Sequence, residues 1–238
     1  MIDIHSHILP GVDDGAKTLE DALEMLSLAS ASGVTTQVLT PHVQPGRFDN
    51  AKADLERRFD AFRSEADRAG IEIDLRLAAE VHVGPEIMQL VADDTLPWLG
   101  EYRGMRTFLL EFPLTHTPAG SINLVHWLIQ RDVLPVIVHP ERCREWQDHP
   151  DRLRPFLEAG CPIQITASSL LGNFGGAARR LAVELVHSAP MLVLATDCHN
   201  LAYRPPDLDR GYEALQDLTD AGFAGRCTGE LPATLSAL

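Results

Sequence analysis

The chain has 238 residues, 45% of them hydrophobic, and a formal net charge of -14; this is enough for one compact core, and the acidity argues against a nucleic-acid backbone as partner, because phosphates attract basic surfaces. The N-terminus shows no basic stretch leading into an apolar run, and no apolar run approaches the roughly 18 residues that span a bilayer, so a cytoplasmic protein without membrane insertion is expected. Four scattered cysteines, Cys143, Cys161, Cys198 and Cys227, form no CxxC pair and read as free thiols in a reducing compartment. In chain order, short apolar runs at Ile2–Ile4, Thr35–Leu39, Ile73–Leu77, Thr107–Leu110, Leu134–Val138, Pro162–Ile165 and Met191–Leu194 predict strands. Between and after them, helical patterns cover Leu19–Ser32, Asn50–Ala69, Pro85–Ala92, Gly120–Gln130, Pro150–Glu158, Ala177–His187 and Asp207–Ala221. Leu55, Phe59 and Phe62 make the clearest buried stripe, and Gly33, Gly70 and Gly160 follow three of the helices as stop signals. Strand alternating with helix predicts an α/β fold with a parallel sheet. Seven such units in 238 residues predict a distorted (β/α)7 barrel forming a single domain over 1–238, with a doubly wound open sheet as the alternative.

Ionisable residues sit at the ends of those runs. His5 and His7 follow the first, His42 the second, Glu80 the third, Glu111 the fourth, His139 the fifth, and Asp197 with His199 the seventh. In a parallel barrel these ends meet on one face, where such folds carry their active sites. A single loop histidine or carboxylate is ordinarily just a hydrogen-bonding residue, but six strand ends out of seven are better explained by a metal cluster. The two-residue spacing of His5 and His7 puts both imidazoles on one face of an extended strand. Asp3, on that same face, is either a buried strand-start carboxylate or an acceptor that fixes a histidine tautomer. Asp197 and His199 repeat the spacing, which turns Cys198 away if the backbone is extended. With Asp14 the candidate ligands number nine, all nitrogen or oxygen donors, which favours manganese, iron or zinc over a thiolate site; nine ligands suit two or three ions sharing bridging carboxylates and a bridging hydroxide.

The stretches "DIHSHILPGVDDG", "TPH", "AEV", "LLEFP", "PVIVHPER", "QITASSLLGNFG" and "TDCHNLAYRPP", in this order and over nearly the whole chain to about Pro206, resemble the polymerase-and-histidinol-phosphatase (PHP) superfamily. Within it they are most similar to the bacterial manganese-dependent protein-tyrosine phosphatases of capsular and exopolysaccharide biosynthesis loci. The resemblance implies a distorted seven-stranded barrel holding three divalent ions, most simply manganese. Carried over, His5, His7, Glu80 and Asp197 would hold one ion, Glu80, Glu111 and His139 a second, and Asp14, His42 and His199 a third. It implies hydrolysis of phosphotyrosine in proteins, with a bacterial tyrosine autokinase of polysaccharide assembly as partner and substrate. A homo-oligomer is left open.

Arg142, three residues past His139, and Arg204, five past His199, lie on loops of ligand-bearing strands. A loop arginine is ordinarily a surface salt-bridge partner, but beside a metal cluster two guanidinium forks suit the oxygens of a phosphomonoester, and the family carries arginines at both places. Both are therefore the expected catalytic and substrate-binding residues, acting with a metal-bridging hydroxide that attacks phosphorus in line.

Cys198 and Arg204 also read as C-x5-R, the spacing of thiolate-dependent tyrosine phosphatases. The intervening residues contain no glycine for a phosphate loop and run into Pro205 and Pro206, which argues against that chemistry. An amidohydrolase would want a lysine at a later strand end, and the only lysines are Lys17 and Lys52. A small-molecule phosphatase of the histidinol-phosphatase type on the same scaffold is the alternative activity, and a metal-holding regulatory subunit the non-enzymatic one. Val43 stands where relatives often have a second histidine, His82 reads as an ordinary surface residue, and His116, His126, His149 and His187 as structural. Asp13 and the tail from Gly222 to Leu238 have no assigned role.

Overall fold

A computed structural model describes residues 1–237. Ten strands are present: β1 (Ile2–Asp3), β2 (Thr36–Leu39), β3 (His42–Val43), β4 (Asp74–Leu77), β5 (Glu80–His82), β6 (Gly100–Tyr102), β7 (Met105–Glu111), β8 (Val133–Val138), β9 (Ile163–Thr166) and β10 (Leu192–Ala195). All seven expected runs are among them. The additions are β6, which forms a hairpin with β7, and β3 and β5, which carry the candidate ligands His42 and Glu80.

The fold is mixed α/β with mostly parallel pairing, but the strands do not close into one sheet. They form a three-stranded sheet in the order β1-β2-β4 and a larger one in the order β10-β9-β8-β7-β5-β3, with β6 antiparallel on β7. The chain of β2 continues into β3 after only Thr40 and Pro41, and that of β4 into β5 after Ala78 and Ala79. The break falls where Pro41 has no N–H to offer the ladder. Hydrogen bonds still cross the seam: Ala78 donates to the Leu39 carbonyl (2.9 Å) and Glu80 to that of Pro41 (3.2 Å). At the other edge Asp197 N–H donates to His5 O (2.8 Å) and His7 N–H to Cys198 O (2.9 Å). There the continuity of β10 is lost because Asp197 adopts φ 50°, a left-handed conformation that no strand accommodates.

The predicted helices fall within a few residues of their expected bounds, as Leu19–Ala31, Lys52–Arg68, Glu86–Ala92, Ser121–Ile129, Gly175–Ser188 and Leu208–Leu218. The expected helix over Pro150–Glu158 is split into a 3-10 turn, Pro150–Leu153, and a short helix, Arg154–Glu158. Leu55, Phe59 and Phe62 are all buried, as their spacing requires. Short helices at Arg144–Asp148 and Ala167–Leu170 follow β8 and β9 in positions that periodicity over four or five residues cannot reveal. No helix among the described residues is long and apolar enough to cross a membrane.

Two apolar layers result. The larger lies between helices and strands; the smaller is enclosed by strands and consists of Ile4, Val38, Leu109, Val136, Val193 and their neighbours. Leu235 belongs to the enclosed layer and is fully buried. The tail therefore has a role: Thr107 donates its hydroxyl to Leu235 O (2.7 Å), Arg76 donates to Ser236 O (2.8 Å) and Glu101 N–H to Ala237 O (2.7 Å), sealing the strands near their beginnings, opposite the ends that carry the histidines. Leu238 lies outside the described residues.

Because Leu235 fills enclosed space, Leu235→Ala is expected to lower the unfolding free energy by about 2–5 kcal/mol. Leu28→Ala, at a helix position 46% exposed, should change it by less than about 0.5 kcal/mol. Urea unfolding of both variants measures the difference.

Candidate metal centre

The strand ends converge as alternation requires. His5 and His7 are both buried, with their Nε2 atoms 3.3 Å apart. Two further atoms meet them: Glu80 Oε2, 3.4 Å from His5 Nε2 and 3.1 Å from His7 Nε2, and Asp197 Oδ1, 3.3 Å from each. The opposite nitrogens of both rings are committed elsewhere. His5 Nδ1 donates to Gln164 Oε1 (2.8 Å) and His7 Nδ1 to Asp13 Oδ2 (2.7 Å), two acceptors that place the ring proton on Nδ1. Two imidazole lone pairs thus point at two carboxylate oxygens. Glu80 Oε2 and Asp197 Oδ1 are buried and accept no well-aligned hydrogen bond, although His42 Nδ1 comes within 3.0 Å of Glu80 Oε2. Four such atoms facing one point in the interior fit a divalent cation.

Two more groupings adjoin this one. His7, Asp14, His42 and His199 form the second, and His42, Glu80 and Glu111 the third. The first set, His5, His7, Glu80 and Asp197, coincides with the expected ligand set. The others are divided differently from expectation. His42 faces two ways: Nε2 lies 3.4 Å from Asp14 Oδ1, while Nδ1 lies 3.0 Å from Glu80 Oε2 and 3.6 Å from Glu111 Oε2. His139 donates from Nε2 to Glu80 Oε1 (2.8 Å), so Glu80 is shared between the first set and His139. His199 Nδ1 donates to Asp197 O (3.0 Å), and its Nε2 lies 3.5 Å from Asp14 Oδ1. None of His116, His126, His149 and His187 joins these groups.

The backbone is bent to make this arrangement. His139 and Asp197 both take positive φ, 34° and 50°, which ends β8 and β10 and turns their side chains. The Asp197–His199 spacing therefore does not act through an extended strand. In the first loop, Gly11 turns the chain back at φ 70° and Gly15 passes so close to His7 that a Cβ there would lie 2.0 Å from His7 O. Ala16 N–H donates to that same carbonyl (3.0 Å), holding Asp14 over His42 and His199.

Electrostatics follow from burial and from these neighbours. Burial raises the Asp197 carboxyl, but Arg204 and His5 outweigh it and hold the group well below the usual carboxylate range; His5 and His42 do the same for Glu80. Burial pulls the His42 imidazolium down, yet the Glu80 carboxylate prevails and pushes it up to about 10. His199, buried beside His7, is held down to about 4. Arg142 Nη1 donates to Asp197 Oδ2 (2.5 Å), and Arg204 Nη2 donates to the same oxygen, so both guanidinium groups stand at the edge of the first set. The Phe174 ring lies beneath them, 4.6 Å from the Arg142 guanidinium carbon and 6.0 Å from that of Arg204.

Several assignments change. Asp3 does not touch a ring nitrogen: its carboxylate accepts from the Thr196 hydroxyl (2.5 Å), the Thr196 N–H (3.1 Å) and the His5 N–H (3.2 Å), so it ties β1 to the end of β10, and the tautomer of His5 is fixed by Gln164. Asp13 acquires a role, bonding His7 Nδ1 and accepting the backbone N–H of His42 (3.1 Å) and of Gly15 (2.9 Å). His82 is no ordinary surface residue, since its Nδ1 donates to Glu111 Oε2 (3.1 Å). Gln164 lies on β9, the one of the seven expected runs with no histidine or acid at its end, which is why an ionisable-residue search passes over it. Cys198 is fully buried within the larger apolar core, where burial pushes its thiol well above the ordinary range, so the C-x5-R spacing creates no nucleophile.

Asp13→Ala and Gln164→Ala each remove an acceptor that orients a ring, and each is expected to weaken metal affinity by about 10- to 100-fold. Competition with a chromophoric chelator checks this. Imidazoles must lose protons to bind metal, so occupancy should also fall as pH is lowered, read by metal analysis after equilibration at pH 8 and at about pH 5.

A sequence profile of the family described as "Capsular polysaccharide synthesis, CpsB/CapC" matches residues 1–233. The tyrosine-protein phosphatase YwqE of Bacillus subtilis is 34% identical over 204 residues, covering 86% of this chain and 79% of YwqE. The tyrosine-protein phosphatase CpsB of Streptococcus agalactiae is 28% identical over 225 residues, covering 90% and 89%. Among solved structures, one from a study of YwqE of Bacillus subtilis and CpsB of Streptococcus pneumoniae, described as unique metal-dependent tyrosine phosphatases, superposes with a TM-score of 0.91 at 30% identity over 100% of this chain and 96% of its own. With a family profile matched over nearly its whole length, a histidine–carboxylate cluster at its strand ends and this likeness to metal-dependent relatives, the chain belongs to the CpsB/CapC family of capsular polysaccharide synthesis.

Proposed function

We propose that the protein is a metal-dependent protein-tyrosine phosphatase, a phosphoric monoester hydrolase acting on phosphotyrosyl proteins, with a bacterial tyrosine autokinase of polysaccharide assembly as its cytoplasmic substrate. The observation that carries the reading is the buried meeting of His5, His7, Glu80 and Asp197, acceptor atoms on every side, with two arginines at its edge. The whole chain, 1–238, is read as one phosphatase domain on a distorted (β/α)7 barrel split at two seams. His5, His7, Glu80 and Asp197 would hold one ion, Glu80, Glu111 and His139 a second, and Asp14, His42 and His199 a third; this nitrogen and oxygen set accepts manganese, iron or zinc, and the family resemblance favours manganese. His42 stands close enough to Glu80 and Glu111 to take part in the second as well.

When bound, divalent ions supply Lewis acidity and a water more acidic than bulk water. The chain's own residues do the rest. Asp13 and Gln164 hold two rings in the tautomer that presents Nε2 inward. Arg142 and Arg204 converge on one point and can grip the non-bridging oxygens of a phosphomonoester, offsetting the charge that gathers on the equatorial oxygens during transfer. Phe174 supports both guanidinium planes and keeps the forks from swinging into water. The departing phenolate, whose conjugate acid has a pKa of ~10, leaves near neutral pH without strong acid assistance.

Turnover of a phosphotyrosyl peptide by purified protein is expected to depend on bound metal and to stop on chelation. Cys198→Ala should keep activity within about threefold, since a thiol buried in the apolar core cannot act as a nucleophile. Arg142→Ala and Arg204→Ala should each lower kcat/KM by about 100-fold or more, the scale of a lost transition-state donor. Activity that survives chelation and disappears in Cys198→Ala would overturn the metal reading, and a preference for histidinol phosphate over the peptide would favour the small-molecule phosphatase.

A further inference from the structure

Beside the metal centre lies a cleft of about 320 Å³ that the ligand residues do not fill. Asp14 and His199 line it, together with Lys17, Met25, Leu201 and Tyr203. Two of its lining residues are therefore candidate metal ligands; Ala16, Met25, Leu201 and Ala202 are apolar, and Asp21 lines it as well. Tyr203 is 85% exposed, while the other large hydrophobic residues at the surface, Leu28, Met88 and Leu114, are 46%, 40% and 43% exposed.

That exposure is not a matter of a loose loop. His199 and Asn200 N–H groups donate to the Arg204 carbonyl (2.9 and 3.2 Å), closing the loop at its neck. Asn200 Oδ1 accepts the backbone N–H of Ala202 (3.1 Å), Tyr203 (2.7 Å) and Arg204 (3.2 Å), fixing its inside. The neck carries a candidate ligand, His199, and a guanidinium bonded to Asp197, Arg204; the tip carries the aromatic ring. A rigid loop that displays a phenol next to an apolar cleft has already met the ordering cost of binding.

We infer that this cleft is the subsite for the leaving group, and that Tyr203 selects aryl over alkyl phosphomonoesters by stacking on the substrate's ring. The inference rests on the phosphatase reading for the placement of the phosphate at Arg142 and Arg204. A phosphate held there brings its ester oxygen beside the loop that bears Tyr203, with the half-buried Leu201 available to the ring's far face. Aromatic stacking of this kind is worth a factor of about 3 to 10 in binding.

The test uses the manganese-loaded full chain as wild type, Tyr203→Phe and Tyr203→Ala, and two readouts. Calorimetry compares binding of a non-hydrolysable aryl phosphonate, the phosphonomethyl analogue of phosphotyrosine in a short peptide, with that of an alkyl phosphonate. Kinetics compare kcat/KM for p-nitrophenyl phosphate and glycerol 2-phosphate. Tyr203→Ala is expected to weaken the aryl phosphonate about 3- to 10-fold, and to lower the aryl-to-alkyl selectivity ratio by a similar factor through KM. Tyr203→Phe should retain both. Equal effects on aryl and alkyl ligands, or none on either, would overturn the inference. A wild type that binds the aryl phosphonate through Tyr203 yet turns over no phosphotyrosyl peptide would sink the phosphatase reading and leave the aryl subsite standing.

Discussion

The structure is arranged around a buried concentration of imidazole nitrogens and carboxylate oxygens at the strand ends. Glu80 and Asp197 are each about 1% exposed, and each has one oxygen that accepts no well-aligned hydrogen bond. Burying a carboxylate is expensive unless it is paired. Arg142 and Arg204 compensate Asp197, but through its other oxygen, and His139 compensates Glu80 through its other oxygen. The two oxygens left over face the lone pairs of His5 and His7, whose protons Gln164 and Asp13 have drawn to the far side. A divalent cation bound between them would resolve this conflict.

The fold supplies the rigidity that such a centre needs. Parallel strands bring their ends to one face, and the breaks between β2 and β3 and between β4 and β5 let His42 and Glu80 sit in a second, offset register: His42 lies opposite Glu80. The seams that prevent one closed sheet are thus part of how the ligands are placed. On that face His139 and Asp197 adopt left-handed backbone, while the interior on the opposite side is filled by Leu235 and the last turns of the chain.

Much of this was legible along the chain. His5, His7, His42, Glu80, Glu111, His139, Asp197 and His199 announce themselves because ionisable residues at strand ends have no structural reason to recur. Asp13 was hidden by its neighbour: two adjacent aspartates look alike in sequence, and only the path of the loop from Gly11 to Gly15 decides that Asp14 turns to His42 and His199 while Asp13 bonds His7. Gln164 was hidden because an amide carries no charge and marks no strand end as functional. Phe174, in a glycine-rich loop, gives no periodic signal, and its contact with Arg142 and Arg204 joins three separate loops. Cys198 is the case where the sequence already argued against a suggestive spacing, and its burial agrees.

The residue types and their positions in the chain determined the alternating α/β plan and the nitrogen and oxygen character of the candidate ligands, because these depend on local periodicity and side-chain chemistry. Only the tertiary structure decided which nitrogen of each imidazole faces inward, that His42 serves two neighbours, that two arginines meet on one oxygen, and that Asp3 ties Thr196 across 193 positions of chain. Those are distances between strands, set by sheet register and by where the two sheets part, and neither is a property of any single segment.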